Sequence, residues 1–218
     1  MIVVCRDGAL DGPTNMARDR ALLDGADRGT PGARVYRWTR PWVSLGTFQS
    51  ADRDVLPGSG VPTVMRPTGG KAVLHGHDET IGIALPLTLI GADSRSLKIA
   101  YRAVIGPIIA AMRACGVPAA LAEETSFVRS TGRTADCFAH VSPNDVVDER
   151  TGLKVCGCAL KLTQHAVLVQ ASLPNGMPLV DPQQVFARPS VAYSPLWDAS
   201  GLADALEGSL AELGSVLL

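Results

Sequence analysis

The sequence holds no uninterrupted apolar run of about 18 residues, so no stretch of it reads as a membrane-spanning helix. Its opening, MIVVCRDGAL, lacks the basic start and apolar continuation of a secretory leader. Together these absences predict a soluble, cytoplasmic chain with no membrane partner. An excess of positive charge is missing too: 20 Lys plus Arg stand against 21 Asp plus Glu, for a formal net charge of -1. That removes the electrostatic footprint of a nucleic-acid binder, and any partner has to be recognised by local surface. The cysteines, at positions 5, 115, 137, 156 and 158, lack the spacing of a disulfide framework and are odd in number, so free thiols are expected. Cys156 and Cys158 form a C-x-C pair, but no second Cys or His pair stands at the spacing a four-ligand structural zinc requires; no metal site is expected. Repeats and low-complexity tracts are absent as well.

What is present suits one core. With 218 residues, 46% of them hydrophobic and 19% charged, the chain has material for a single domain over 1–218 and too little length for two ordinary ones. Residues 2–5 (IVVC) predict a buried strand, and Pro13, Thr14 and Asn15 supply turn and cap chemistry before a helix over 16–26. Runs at 33–38, 42–45 and 62–65, rich in Val, Tyr or Trp and bounded by Gly or Pro, predict neighbouring strands. Two more, at 71–74 and 80–87, flank His-Gly-His-Asp and predict a pair joined by a tight polar connection. Apolar residues at helical spacing predict the strongest helix over 96–115, with Pro107 inside it expected to kink or divide it. Strand-like runs follow at 144–148, 154–162 and 166–173, and a helix at 202–213. The mixture predicts an α+β fold of mixed and antiparallel sheets with flanking helices.

Three segments carry chemistry. Arg66-Pro67-Thr68-Gly69-Gly70-Lys71-Ala72-Val73-Leu74-His75 sets paired glycines between strands beside a guanidinium, an ammonium and an imidazole. Glycines let backbone N–H groups approach a carboxylate, phosphate or oxyanion, although Thr-Gly-Gly between strands also serves as a plain hairpin connection. Cys137 follows the polar stretch Thr131-Gly132-Arg133-Thr134 and lies outside any apolar periodicity, as a nucleophilic thiol would; an inert half-buried thiol is the alternative. Lys154 opens an apolar strand, placed either to polarise a carbonyl and favour a thiolate or to guard a strand edge.

Taken in chain order these segments resemble the biotin/lipoate protein ligase superfamily, in its lipoate-ligase and octanoyltransferase branch. The resemblance rests on Asn15-Met16-Ala17 with Asp19 and Ala21-Leu22-Leu23, on Val43-Ser44-Leu45-Gly46 with Gln49, and on MRPTGGKAVLH. It continues through Cys137-Phe138, Ser142, Asn144-Asp145 and Lys154-Val155-x-Gly157-x-Ala159. The chain differs from the family's usual pattern at Pro67, where a second arginine is common, at Cys158, where a small Ser is common, and at Gln170-Ala171, near a usual His-Gly pair.

The resemblance implies one catalytic domain without an accessory C-terminal domain, of the biotin/lipoate protein ligase catalytic-domain fold. It implies Cys137 and Lys154 as catalytic residues, and Arg66, Thr68, Gly69, Gly70, Lys71, Ala72, His75, Gly157 and Ala159 as substrate-binding residues. The octanoyltransferase form needs no cofactor and takes an octanoyl or lipoyl group from acyl carrier protein. It passes the group through a Cys137 thioester to a lysine of a lipoyl domain, as in a glycine-cleavage H-type protein or a 2-oxoacid dehydrogenase E2. His75 or His140 would take the amine proton. The alternative is a ligase using ATP and Mg, in which Arg66, Lys71 and Lys154 hold an acyl-adenylate; a catalytically silent acyl-binding module is a third reading.

Overall fold

The computed structural model describes residues 2–93, 97–128 and 134–213. Strand β1 (Val4–Leu10) leads into helix α1 (Gly12–Asp27), which starts where the Asp11 carboxylate accepts the Thr14 N–H at 2.8 Å and Pro13 occupies the first turn. Strands β2 (Gly32–Trp38) and β3 (Trp42–Leu45), the short helix α2 (Ala51–Asp54), and strands β4 (Thr63–Met65), β5 (Val73–His75) and β6 (Asp78–Pro86) follow. Helix α3 (Leu97–Ala114), strands β7 (Ala119–Leu121), β8 (Val146–Asp148), β9 (Lys154–Leu162) and β10 (Ala166–Pro174), and helix α4 (Leu202–Leu213) complete the order.

One sheet runs β1-β2-β6-β10-β9-β8-β7 and a smaller one β4-β3-β5, giving the α+β class expected. At the centre, β6 and β10 pair antiparallel over their full length, and every residue of both is buried. Because successive strand residues point to opposite faces, each strand serves two interiors. Ile81, Ile83, Leu85, Val167, Val169 and Leu173 pack with Ala100, Val104 and Ile108 of α3 and Leu206 of α4. Ala84 and Leu168, on the other face, meet Leu23 and Ala26 of α1. The same α1 face continues into polar positions, Thr80, Gln170 and Ser172, all buried. That polar end of an otherwise apolar layer positions the candidate site.

Several local expectations are corrected. The runs at 33–38, 42–45 and 62–65 are not three neighbours: β3 pairs parallel with β4, while β2 sits in the large sheet between β1 and β6. The runs at 71–74 and 80–87 do not pair either, since β5 joins β3 and β6 joins β2 and β10. His-Gly-His-Asp therefore carries the chain from one sheet to the other, with Gly76 at a φ of 117° making the turn. Helix α3 is not divided at Pro107; the proline is buried within it, and packing of the apolar face on the sheet outweighs the roughly 3 kcal/mol an interior proline costs. Its expected first residue, Ser96, lies outside the described residues. Strands β7 and helix α2 had no clear periodicity, and β1 extends through exposed Arg6 and Gly8 because it pairs with β2 by backbone rather than by apolar pattern. Among the described residues no helix is long and apolar enough to cross a membrane.

Candidate active site

The glycine loop between β4 and β5 is shaped by Arg66. Its guanidinium donates to the carbonyl of Ser44 at 2.9 Å, of Gly69 at 2.6 Å and of Lys71 at 2.7 Å, and to Ser44 Oγ and Thr68 Oγ1, both at 3.2 Å. All five N–H donors of the side chain are thus engaged. Burial pushes Arg66 down to about 10, which leaves it cationic at neutral pH. Gly70 adopts a φ of 86°, and a Cβ there would come within 3.1 Å of Arg66 Nη2. The loop is also tied to the sheet: Thr68 Oγ1 donates to Gln170 Oε1 at 2.7 Å, and Gln170 Nε2 donates to Asp19 of α1 at 2.5 Å. Asp19 in turn accepts from Arg34 at 2.7 Å and from the Tyr36 hydroxyl at 2.8 Å.

Cys137 is fastened to this loop by main chain. Ala72 N–H donates to the Ala135 carbonyl at 2.8 Å and Cys137 N–H to the Ala72 carbonyl at 2.9 Å. Lys154, at the start of β9, is only 4% exposed, which excludes the strand-edge alternative. Its ammonium donates to Asp145 Oδ1 and to the Cys137 carbonyl, both at 2.9 Å, and lies 3.3 Å from the His140 carbonyl and 3.4 Å from Cys137 Sγ. Burial works against this charge, but the Cys137 sulfur and the Asp145 carboxylate outweigh it and hold the ammonium above its ordinary range. Asp145 is held by the N–H and hydroxyl of Ser142, at 2.7 and 2.9 Å. Gly157 makes the approach feasible: a Cβ there would lie 3.1 Å from Cys137 Sγ.

His75 sits opposite, stacked on Trp38 with ring centroids 4.0 Å apart. Its Nδ1 is 2.7 Å from Asp78 Oδ2 and its Nε2 2.8 Å from Ser44 Oγ. Burial alone would raise Asp78, but the neighbouring His75 and the donated Ser172 hydroxyl bond at 2.6 Å hold its carboxyl well below the usual carboxylate range.

These groups border a pocket of about 40 Å³ that opens to solvent, lined by Arg66, Gly70, Lys71, His75, Cys137, Gly157 and Ala159, together with Tyr36, Trp38, Ser44, Cys158 and Gln170. Lys154 borders a neighbouring cavity, while Thr68, Gly69 and Ala72, expected to bind substrate, border neither of the two. Of the two histidines considered for proton transfer, His75 borders the first cavity, while His140 borders neither but lies beside Lys154, its carbonyl 3.3 Å from the ammonium, with burial and the nearby Lys71 pushing its imidazole down. Ser44, Asp78 and Asp145 were not assigned roles from sequence; Asp78 had a signal, a carboxylate three residues beyond a histidine at a glycine turn. Residues 131–133 of the stretch before Cys137 lie outside the described residues.

The model of the lipoyl protein ligase A/B catalytic domain matches residues 11–192, and the chain belongs to this family. It is 33% identical over 170 residues to an octanoyltransferase, LipM, of Exiguobacterium sp., covering 73% of this chain and 60% of that protein. To the LipM octanoyltransferase of Kyrpidia tusciae it is 32% identical over 182 residues, covering 79% of this chain and 64% of that protein. The chain thus spans about three fifths of the length of the curated relatives it matches. Among solved structures, a Thermoplasma acidophilum protein with bound lipoic acid superposes with a TM-score of 0.75 at 19% identity, covering 97% of this chain and 85% of that one. A lipoate-protein ligase A bound with ATP gives 0.67 at 20% identity, with 97% and 85% covered. At these identities the two structures speak for the fold.

Proposed function

We propose that this chain is an octanoyltransferase of lipoate assembly, carrying the acyl group on Cys137 from acyl carrier protein to a lysine of a lipoyl domain. The observation that carries this reading is the buried Lys154 ammonium 3.4 Å from Cys137 Sγ at the rim of the cavity. An ammonium at that distance stabilises negative charge on sulfur, the form that attacks a thioester. Attack forms one thioester bond as the donor's is broken, so the step is nearly isoenergetic and draws on no nucleotide. The acyl chain lies in the cavity, where each buried CH₂ contributes about 0.8 kcal/mol. The resulting thioester is then attacked by the acceptor amine, with Lys154 stabilising the oxyanion and the Asp78–His75–Ser44 chain placed to receive a proton. The relatives named as octanoyltransferases support the choice of reaction.

The ligase alternative asks Arg66, Lys71 and Lys154 to hold an adenylate. Every donor of Arg66 is committed to the loop, and Lys154 is committed to Asp145 and the Cys137 segment, so of the three Lys71 is the side chain with capacity to spare. Intact-protein mass spectrometry tests the choice. Mixing with octanoyl carrier protein should add one octanoyl group, removed by hydroxylamine and lost in Cys137→Ser. Full turnover by Cys137→Ala, or acylation at another cysteine, would overturn the reading.

A further inference from the structure

The chain bends at Cys137 and turns at Phe138, and the side chains of residues 136–138 divide between two cavities. Cys137 borders the one described above, while Asp136 and Phe138 border a second, also of about 40 Å³ and open to solvent. Lys154 stands on the second side with its ammonium reaching back to the sulfur. The Cys137 segment therefore stands between two neighbouring clefts, with the thiol on the side of the first. Much of the second cavity's outer wall comes from the segment after β10, including Pro178, Phe186 and Tyr193. The wall is anchored where Ser190 N–H donates to Asp136 Oδ2 at 2.7 Å.

Two polar atoms in this cavity are unspent. Ser194 is 6% exposed, and its Oγ has no hydrogen-bond partner among the described residues; neither does Nδ1 of His77. Buried polar groups are normally hydrogen-bonded, so both atoms have bonding capacity for a ligand in this space. Burial pushes His77 down, which leaves its ring neutral with one donor and one acceptor nitrogen. The site thus offers an apolar passage of prolines and aromatics with a hydroxyl and a neutral imidazole spaced along it.

We infer that this cavity receives the thiol-side arm of the acyl donor, a pantetheine-type chain whose amides bond to Ser194 and His77. The inference rests on the transferase reading above and adds to it where the leaving group lies. The carbonyl that Cys137 attacks carries two substituents, the acyl chain and the donor sulfur; with the acyl chain in the first cavity, the second is the neighbouring space for the sulfur-bound arm. The Cys137 thiolate forms a new S–C bond, the donor's C–S bond breaks, and the donor sulfur departs as a thiolate. Charge and protons balance with no further reactant.

The test compares two octanoyl thioesters as donors, one of pantetheine and one of ethanethiol, which has the same reacting carbon and no amides. Acylation of Cys137 is followed by mass spectrometry for the wild type, Ser194→Ala and His77→Phe, with melting curves alongside. The ratio of kcat/KM for the pantetheine ester over the ethanethiol ester should fall five- to tenfold in each variant, and Ser194→Ala should melt no lower than the wild type. An unchanged ratio, with both esters affected equally or neither affected, overturns the inference and leaves the transferase reading standing. Failure of the wild type to form an acyl-Cys137 from either ester overturns the transferase reading and the inference with it.

Discussion

Replacing Lys154 by alanine separates the chemistry of the site from its stability. An ammonium and a thiolate 3.4 Å apart attract by about 5 kcal/mol at an effective dielectric near 20. Asp145, at 2.9 Å, draws on the same cation, so the share available to sulfur or an oxyanion is smaller. The expected loss is about 2.7–4 kcal/mol, a hundred- to thousandfold fall in acylation rate. Stability should also fall, because removing one member of a buried pair costs about 3–5 kcal/mol. The lower end applies here, since Asp145 keeps its two bonds from Ser142. Adding Asp145→Asn removes the stranded charge, so the double variant should recover much of the lost melting temperature and none of the lost rate. Lys154→Arg should not restore the rate, because a planar guanidinium cannot occupy the compact position between four acceptors. The assay is the rate of octanoyl addition to Cys137 from the ethanethiol ester, with iodoacetamide alkylation at fixed pH as an independent reading of sulfur reactivity. Acylation by Lys154→Ala within threefold of the wild type, at matched folding, would refute the argument.

Gly157→Ala places a Cβ about 3.1 Å from Cys137 Sγ and should slow acylation at least tenfold while changing the melting temperature little; equal loss of both would show a folding defect instead. Gly70→Val adds a β-branched side chain where φ is positive, against Arg66, and should damage acyl transfer more than folding; unchanged activity would remove the loop from the mechanism. Thr68→Val leaves Gln170 Oε1 without its donor and should cost about 1–3 kcal/mol in denaturant unfolding, and an effect below a few tenths would dismiss that link. An unfolded Asp takes its proton near pH 3.9, and Asp78 in the fold does so at lower pH, so its contribution is complete above about pH 4 and fades as pH falls below. The gap in melting temperature between the wild type and Asp78→Asn should therefore narrow on acidification from pH 5 to pH 3; parallel curves would contradict this.

The parts of the molecule that could be read from sequence are those where one residue type forces one local outcome. Strands β9 and β10, helix α4 and the position of the glycine loop follow from patterns a few residues long. Sheet membership does not: nothing local distinguishes β5, which joins β3, from β6, three residues on, which joins β10. At the site, Cys137, Lys154 and the loop stood out as chemistry-bearing residues in ordered motifs. What they do to one another depended on tertiary geometry, and so Arg66 proved to brace the loop with all its donors, a role its motif does not reveal. Ser44 and Asp78 were hidden for the same reason, each being an ordinary residue until His75 is placed between them.

The bond from Thr68 to Gln170 joins residues 102 apart in the chain. Strand β10 supplies Gln170 and Ser172 to the cavity, and it enters the sheet between β6 and β9, which are distant from each other in sequence. Closing such contacts is entropically slow, so the cavity is among the last features to form as the chain folds. During synthesis Cys137 emerges before strand β10, which completes the pocket that its sulfur borders. On the mechanism proposed above, acyl transfer therefore waits for the last strand of the large sheet, so the activity and the completed fold arrive together.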